Sequence, residues 1–365
     1  MLRLARRNHD IRSGQHDRHI QRHNDQRRSE TLVPDAIEEA VSKITVSVGR
    51  ERYRVLIGEG LLKQLGKHVR KYLSRKTCAI IADDEVAQLF ARRVERNLIS
   101  TGFHPTLITI PAGEKSKTLT QAGAICDQMI GAGLDRQSFV VGIGGGVIGD
   151  ISGFVAAIYQ RGIPHVQIPG VNTRDGKNLI GAVHHPSLVI DDTDVLKTLP
   201  RREFNQAFAE IIKHAVIADA KMFRTLKVAR AFWPAAAGET HALQSLIKRN
   251  IEIKSKIVAK DERDQTGQRA LLNFGHTVGH AIERAGDYRK FLHGEALSLG
   301  IVAAGAISIK RAGLSPDQRE AIVDLLRQFE LPTRLPKNFQ REKIFSALKF
   351  DKKFKGGKVR FVVTR

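Results

Sequence analysis

The sequence predicts an α/β protein: an N-terminal α/β domain with a mostly parallel sheet, followed by a C-terminal domain that is mainly α-helical. Three observations predict it. Apolar strand-like runs alternate with helix-like stretches from residue 44 to about residue 195. A run of three glycines, Gly144, Gly145 and Gly146, stands where such a strand passes into a helix. From residue 199 to about residue 330 the apolar periodicity is almost wholly helical. The expected boundaries are a basic tail over 1–42, an α/β domain over 43–198 and a helical domain over 199–365. A chain of 365 residues is long for a single core.

Each element has its own signal. "ITVSVG" (44–49) and "RYRVLIG" (52–58) alternate like an antiparallel hairpin turning near Gly49-Arg50. A helix is expected over 60–74. "TCAIIAD" (77–83) is apolar enough for a buried strand, and "DEVAQLFARRVERNLIST" (84–101) has the stripe of an amphipathic helix. "PTLITI" (105–110) predicts a strand and "KTLTQAGAICDQMIGAG" (117–133) a helix. "SFVVGIG" (138–144) is the strand that ends in the glycines, and another strand ends in Gln167-Ile168-Pro169. The helical half opens with "LPRREFNQAFAEIIKHAVI" (199–217), is broken at Pro332 and Pro336, and closes in a hairpin around Gly356-Gly357. The active site is expected in the cleft between the two domains.

Composition narrows the function classes. With 42% hydrophobic and 27% charged residues, and no apolar run of the ~18 residues a bilayer span needs, the chain reads as a soluble protein without a membrane partner. Two cysteines far apart, Cys78 and Cys126, imply buried thiols in a reducing compartment, hence a cytoplasmic protein. The net charge of +22 invites a nucleic-acid reading, but much of the excess lies in residues 1–30, which hold Arg3, Arg6, Arg7, Arg12, Arg18, Arg22, Arg27 and Arg28. That stretch lacks the apolar content to offset its ordering entropy and is expected to be a disordered, solvated tail. Targeting and nucleic-acid contact are the lesser alternatives for it. The remaining chain stays basic, which suits an anionic substrate.

Three motifs carry chemistry. In "GIGGGVIGD" (142–150), glycines after a strand let backbone amides approach a pyrophosphate at a helix N-terminus, although a tight structural turn explains them equally well. "PAGEKSK" (111–117) places Glu114 and Lys117 at a strand-to-helix junction, where an ordinary helix start is the simpler explanation. "LNFGHTVGH" sets His276 and His280 at i and i+4 on one helical face, "LHGEA" adds His293, and "AEIIKHA" supplies Glu210 and Lys213. A carboxylate with two imidazoles is the usual make-up of a catalytic zinc site, while histidine pairs at this spacing also cap helices or line cores. Arg161, Lys177, Lys213, Lys256, Arg269, Lys352 and Lys353 are each ordinary surface charges; several converging on one cleft would grip phosphate and carboxylate.

Together these residues resemble the 3-dehydroquinate synthase branch of the sugar phosphate cyclase family, from about residue 44 to the C-terminus. "GGGVIGDISGFVAAIYQRG", "GKNLIGAVHHP", "AEIIKHA", "RALLNFGHTVGHAIE", "LHGEALSLG" and "DKKFKGGKVRFVV" carry the likeness, in order. The resemblance implies a metal site of Glu210, His276 and His293, holding zinc or alternatively cobalt, with His280 near the substrate. It implies that NAD is bound by Asp83 or Asp84, Glu114, Lys117, Gly145, Gly146, Val147 and Asp150. It assigns Arg161, Lys177, Asn178, Lys213, Lys256, Arg269 and Asn273, with one of Lys352 or Lys353, to the substrate pocket. The implied reaction cyclises a phosphorylated sugar acid, 3-deoxy-D-arabino-heptulosonate 7-phosphate, to 3-dehydroquinate with release of phosphate, and the implied assembly is a homodimer. A metal-dependent polyol or alcohol dehydrogenase shares the broad architecture, but it has no need of Arg269, Asn273 and Lys177.

The chain also departs from the family pattern. There the strand ending in Ile-Pro continues Thr-Thr-Leu-Leu-Ala-x-x-Asp-Ser-Ser-x-Gly-Gly-Lys-Thr before Gly-Val-Asn; here Pro169 is followed at once by Gly170-Val171-Asn172. About fifteen residues are absent, more than ordinary loop variation. With them go two threonines and an aspartate expected at the cofactor and a lysine expected at the substrate, for which nearby Arg174 and Asp175 are weak substitutes. Gln206 stands where Asn or Ser is more usual, and the chain stops at Arg365, short of the family's closing strand and helix.

Overall fold

The computed structural model describes residues 41–169, 182, 184–228, 240–262, 265–348, 354–355 and 358–364. The expected tail, the segment after Pro169 with Arg174, Asp175, Lys177 and Asn178, and the pair Lys352 and Lys353 lie outside the described residues.

β1 (Ser42–Val48) and β2 (Glu51–Gly58) form the hairpin, Val48 opposite Glu51 across Gly49 and Arg50. β3 (Thr77–Asp83), β4 (His104–Ile110), β5 (Phe139–Gly144), β6 (His165–Pro169) and β7 (Leu188–Asp192) follow. The sheet runs β1-β2-β7-β6-β5-β3-β4, and every neighbouring pair except β1–β2 is parallel. α1 (Leu65–Tyr72), α2 (Arg92–Ser100), α3 (Leu119–Gly131) and α4 (Gly146–Ile158) connect the strands. The helix expected over 84–101 is a capped turn, a π-helical turn at Ala87–Ala91 and then α2.

Period-two alternation divides the strand side chains between two cores. From β3, Cys78, Ile80 and Ala82 face Leu65, Val69, Val94 and Leu98 of α1 and α2. Ala79 and Ile81 face Ile125, Met129, Ile151 and Val155 of α3 and α4. Burial pushes the Cys78 thiol up to about 12, whereas Cys126 is only partly buried, so the expectation of two buried thiols holds for one.

The second half contains α5 (Arg201–Ala218), α6 (Ala220–Val228), α7 (Thr240–Lys260), α8 (His276–Ala285), α9 (His293–Ala312), α10 (Pro316–Gln328) and α11 (Arg341–Leu348). The closing hairpin is β8 (Phe354–Lys355) against β9 (Lys358–Val359). Phe204, Phe208, Phe274, Leu297 and Leu325 lie in its core. α7 also closes the outer face of the β1–β2 hairpin, where Ile247, Ile251 and Val258 pack on Val46, Val48 and Val55.

Candidate active site

The chain runs outward from β3 to β4, then returns to the other side of β3 for β5 and β6. The switch point is thus the crevice at the carboxyl ends of β3 and β5, the place where open α/β sheets bind ligands. Asp83 ends β3 and Gly144 ends β5. Gly144 has φ 155°, and a Cβ there would lie 2.7 Å from Ile148, so only glycine makes this turn without strain. Gly145 then caps α4 and Gly146 and Val147 begin it, presenting a helix N-terminus at the crevice. The turn is seated by two further glycines: a Cβ on Gly142 would meet Ser152 Oγ at 2.1 Å, and one on Gly149 would meet Gln167 Nε2 at 2.2 Å. Asp83 Oδ1 accepts the Val86 amide at 2.8 Å, and Asp84 beside it is exposed. Lys117 and Asp150 form an ion pair at 2.5 Å that ties the turn before α3 to the second turn of α4. Glu114 begins a short 3-10 turn at Glu114–Ser116, three residues before Lys117 in the turn ahead of α3.

The second cluster lies in the helical half. His276 begins α8, His293 begins α9, and Glu210 sits in the middle of α5. Their ligand atoms lie within 4.8 Å of one another. Glu210 Oε1 is 3.2 Å from His276 Nε2 and 3.6 Å from His293 Nε2. Each ring is held by its other nitrogen, His276 Nδ1 at 3.3 Å from the Phe274 carbonyl and His293 Nδ1 at 3.0 Å from Glu283 Oε1. Both Nε2 atoms are thereby turned to the same point. Burial opposes ionisation of Glu210, but Lys213, His276 and His293 outweigh it and hold the carboxyl well below the ordinary carboxylate range. One carboxylate and two oriented imidazoles facing a common point are the donor set of a catalytic zinc ion, and the residues fit it.

Glycines bring these ligands together. Gly275, at φ 80°, precedes His276, and a Cβ on Gly300 of α9 would lie 2.1 Å from its carbonyl oxygen. A Cβ on Gly294, next to His293, would lie 1.9 Å from the Gln206 carbonyl oxygen. Leu292, at the N-cap of α9, has no side-chain acceptor, and Gln206 Oε1 instead takes the Gly294 amide at 2.9 Å. Gln206 is four residues before Glu210 on α5, so one buried side chain ties the carboxylate's helix to the histidine's helix.

The predicted cations divide. Lys213 is buried and pairs with Glu210. Arg269 donates to the Glu262 carbonyl at 2.5 Å, and its amide bonds Asp261 at 3.2 Å. Burial opposes the Asp261 charge, but amides of Thr266, Arg269 and Gln265 outweigh it and hold the carboxyl at about 2. Arg269 and Asn273 bound the 3-10 turn that leads into α8. His280 follows one turn later, its ring centroid 5.1 Å from that of His276, outside the trio containing Glu210. The lysine of α7 whose charge bears on Lys213 and His214 is Lys254; Lys256 lies about 200° further round the helix, and both are exposed. Arg161 follows α4 just before β6, at the opposite end of the parallel strands from Gly144. Residue reasoning also passed over His214, 3.9 Å from Glu210 Oε2 and bonded to Asn250 at 2.9 Å, and Glu283. The i, i+4 spacing of Glu210 and His214 was the available signal.

A parallel sheet with a glycine turn at its crevice, joined to helices presenting Glu210, His276 and His293, is the fold of the sugar phosphate cyclases. The structure aligns with 2-deoxy-scyllo-inosose synthase at a TM-score of 0.76 and 23% identity, covering 86% of this chain and 88% of that one. It aligns with 2-epi-5-epi-valiolone synthase from Streptomyces hygroscopicus at 0.73 and 24%, covering 87% and 91%. Family models for the 3-dehydroquinate synthase N-terminal and C-terminal regions match residues 107–206 and 207–354. The 3-dehydroquinate synthase of Symbiobacterium thermophilum is 40% identical over 336 residues, covering 87% of this chain and 92% of that one. The chain belongs to the 3-dehydroquinate synthase family.

Proposed function

We propose that the chain cyclises 3-deoxy-D-arabino-heptulosonate 7-phosphate to 3-dehydroquinate with release of phosphate, and that it turns over well below relatives that carry the segment absent after Pro169. The observation that carries this reading is the convergence of Glu210, His276 and His293, with Lys213 paired to Glu210 and Lys254 bearing on Lys213, in a chain of this family. Such cations suit a phosphorylated carboxylic acid, whereas a neutral polyol offers them no anionic group.

Glu210, His276 and His293 would hold zinc, or cobalt, and the crevice at Asp83, Gly145, Gly146, Val147 and Asp150 would hold NAD, with Glu114 and Lys117 beside it. Solved relatives support both groups, the inosose synthase being complexed with NAD+ and Co2+ and the valiolone synthase with NAD+ and Zn2+. When bound, the metal polarises a substrate hydroxyl and NAD takes up and returns a hydride, which makes phosphate elimination possible. The chain's own residues do the rest. The N-terminus of α4 receives the pyrophosphate, Lys213 and Arg269 bind substrate anions, and Asn273 and His280 orient the ring beside the metal ligands. Lys177 and Asn178, with Lys352 or Lys353, complete the pocket in this reading. A homodimer is the assembly in this reading, with Arg161 in the substrate pocket. No described helix is long and apolar enough to cross a membrane, and the reading is of a cytoplasmic enzyme with no nucleic-acid partner.

Phosphate release by purified protein supplied with substrate, NAD and zinc tests this. Release that depends on both additions and is lost in Glu210→Ala is expected; release unaffected by Glu210→Ala would sink the assignment.

A further inference from the structure

Glu283 is on α8, three residues after His280, and is buried, 5% exposed. A carboxylate so enclosed is costly to ionise without a partner. Its Oε1 lies 3.0 Å from His293 Nδ1, and His280 belongs to the same cluster, with ligand atoms within 4.8 Å of one another. His293 is the first residue of α9, with a side chain 30% exposed, and its Nδ1 meets a carboxylate of the neighbouring helix α8. His276 needs no such help, because a main-chain carbonyl two residues before it, that of Phe274, already meets its Nδ1.

We propose that Glu283 is a positioning residue of the metal centre. By accepting the Nδ1–H of His293 it fixes that ring's tautomer and keeps the Nε2 lone pair turned toward Glu210 and the ion. Because Glu283 rides on the helix that begins with His276, the same contact sets one histidine ligand against the other. The inference rests on the metal site proposed above and adds to it the residue that orients one ligand.

The test is a Co2+ titration of metal-free protein, followed by the visible absorption of the bound ion, on wild type, Glu283→Ala, Glu283→Gln and Glu210→Ala. Glu283→Ala is expected to weaken Co2+ binding by about 10- to 100-fold. Glu283→Gln, whose Oε1 still accepts from Nδ1–H, is expected to remain within a few-fold of wild type. Wild-type affinity in Glu283→Ala overturns the proposal, and so does a Gln variant as weak as the Ala variant. If Glu210→Ala loses the ion in those cases, the metal centre itself stands. If Glu210→Ala binds like wild type, the centre is wrong and the proposal falls with it. Side-chain nitrogen shifts of His293 in zinc-loaded wild type decide the matter without any variant: an Nδ1–H ring supports the proposal and an Nε2–H ring overturns it.

Discussion

Lys254 and Lys256 differ by two positions and by about 200° around α7, and it is the charge of Lys254 that bears on Lys213. Lys254→Ala is expected to raise KM for the phosphorylated substrate by about 10-fold, as loss of one charge-assisted contact would. Lys256→Ala is expected to leave it unchanged, and steady-state kinetics of the two variants check this. The acid and histidines of the cluster stood out because their motifs carry helical spacing within a few residues, and the family resemblance picked Glu210, His276 and His293 from among them. A lysine-rich stretch such as "KSKIVAK" does not announce which face is inward; only the packing of α7 does. His165 belongs to the same scale. It lies buried in β6, where burial, with His184 and His185 adding to it, lowers its pKa to about 4. The unfolded ring titrates near 6.5, so the neutral ring's stabilisation is complete above about 6.5 and is lost as pH falls through about 4. His214, also at about 4, acts the same way, whereas Asp191, raised by burial to about 7, costs stability as pH rises from about 4 to 7. Comparison with His165→Phe isolates one contribution. Between pH 7 and pH 5 the wild type should lose about 2 kcal/mol more than the variant by denaturant unfolding; equal losses would contradict a buried neutral ring.

At the scale of elements, the site depends on how closely α8 and α9 approach. Gly300 lets the Gly275 carbonyl come where a Cβ would stand, and backbone cannot move aside as a flexible side chain would. Gly300→Ala is therefore expected to destabilise the protein by about 1–3 kcal/mol and to weaken zinc binding, because separating the helices separates His276 from His293. Calorimetry with and without zinc reads both effects. Most strands and helices were legible because apolar periodicity matched their burial. β7 was not singled out, since five residues between two histidines and the "LKTLP" turn are too few to show a period. Its position between β2 and β6 comes from pairing with strands distant in sequence.

At the scale of the molecule, the fold and the missing segment are reconciled by the crossover from β6 to β7. Parallel neighbours need a connection of about a dozen residues or more, and residues 170–187 still supply one. The sheet therefore closes without the fifteen residues, while the contacts expected of them at cofactor and substrate are lost. The alignment with the Symbiobacterium thermophilum enzyme, 336 positions long on 87% of this chain, is consistent with residues there that have no counterpart here. Reinserting the family segment between Pro169 and Gly170 is expected to raise kcat/KM by about 100-fold or more with little change in thermal midpoint. An unchanged kcat/KM would mean that the short loop supplies the contacts itself. A centre that eliminates phosphate and closes a ring returns the cofactor to its starting state, so phosphate and NADH followed together in one reaction distinguish it from a dehydrogenase. Phosphate accumulating with no net NADH is the expected result; NADH accumulating without phosphate would make the chain a dehydrogenase and contradict the account.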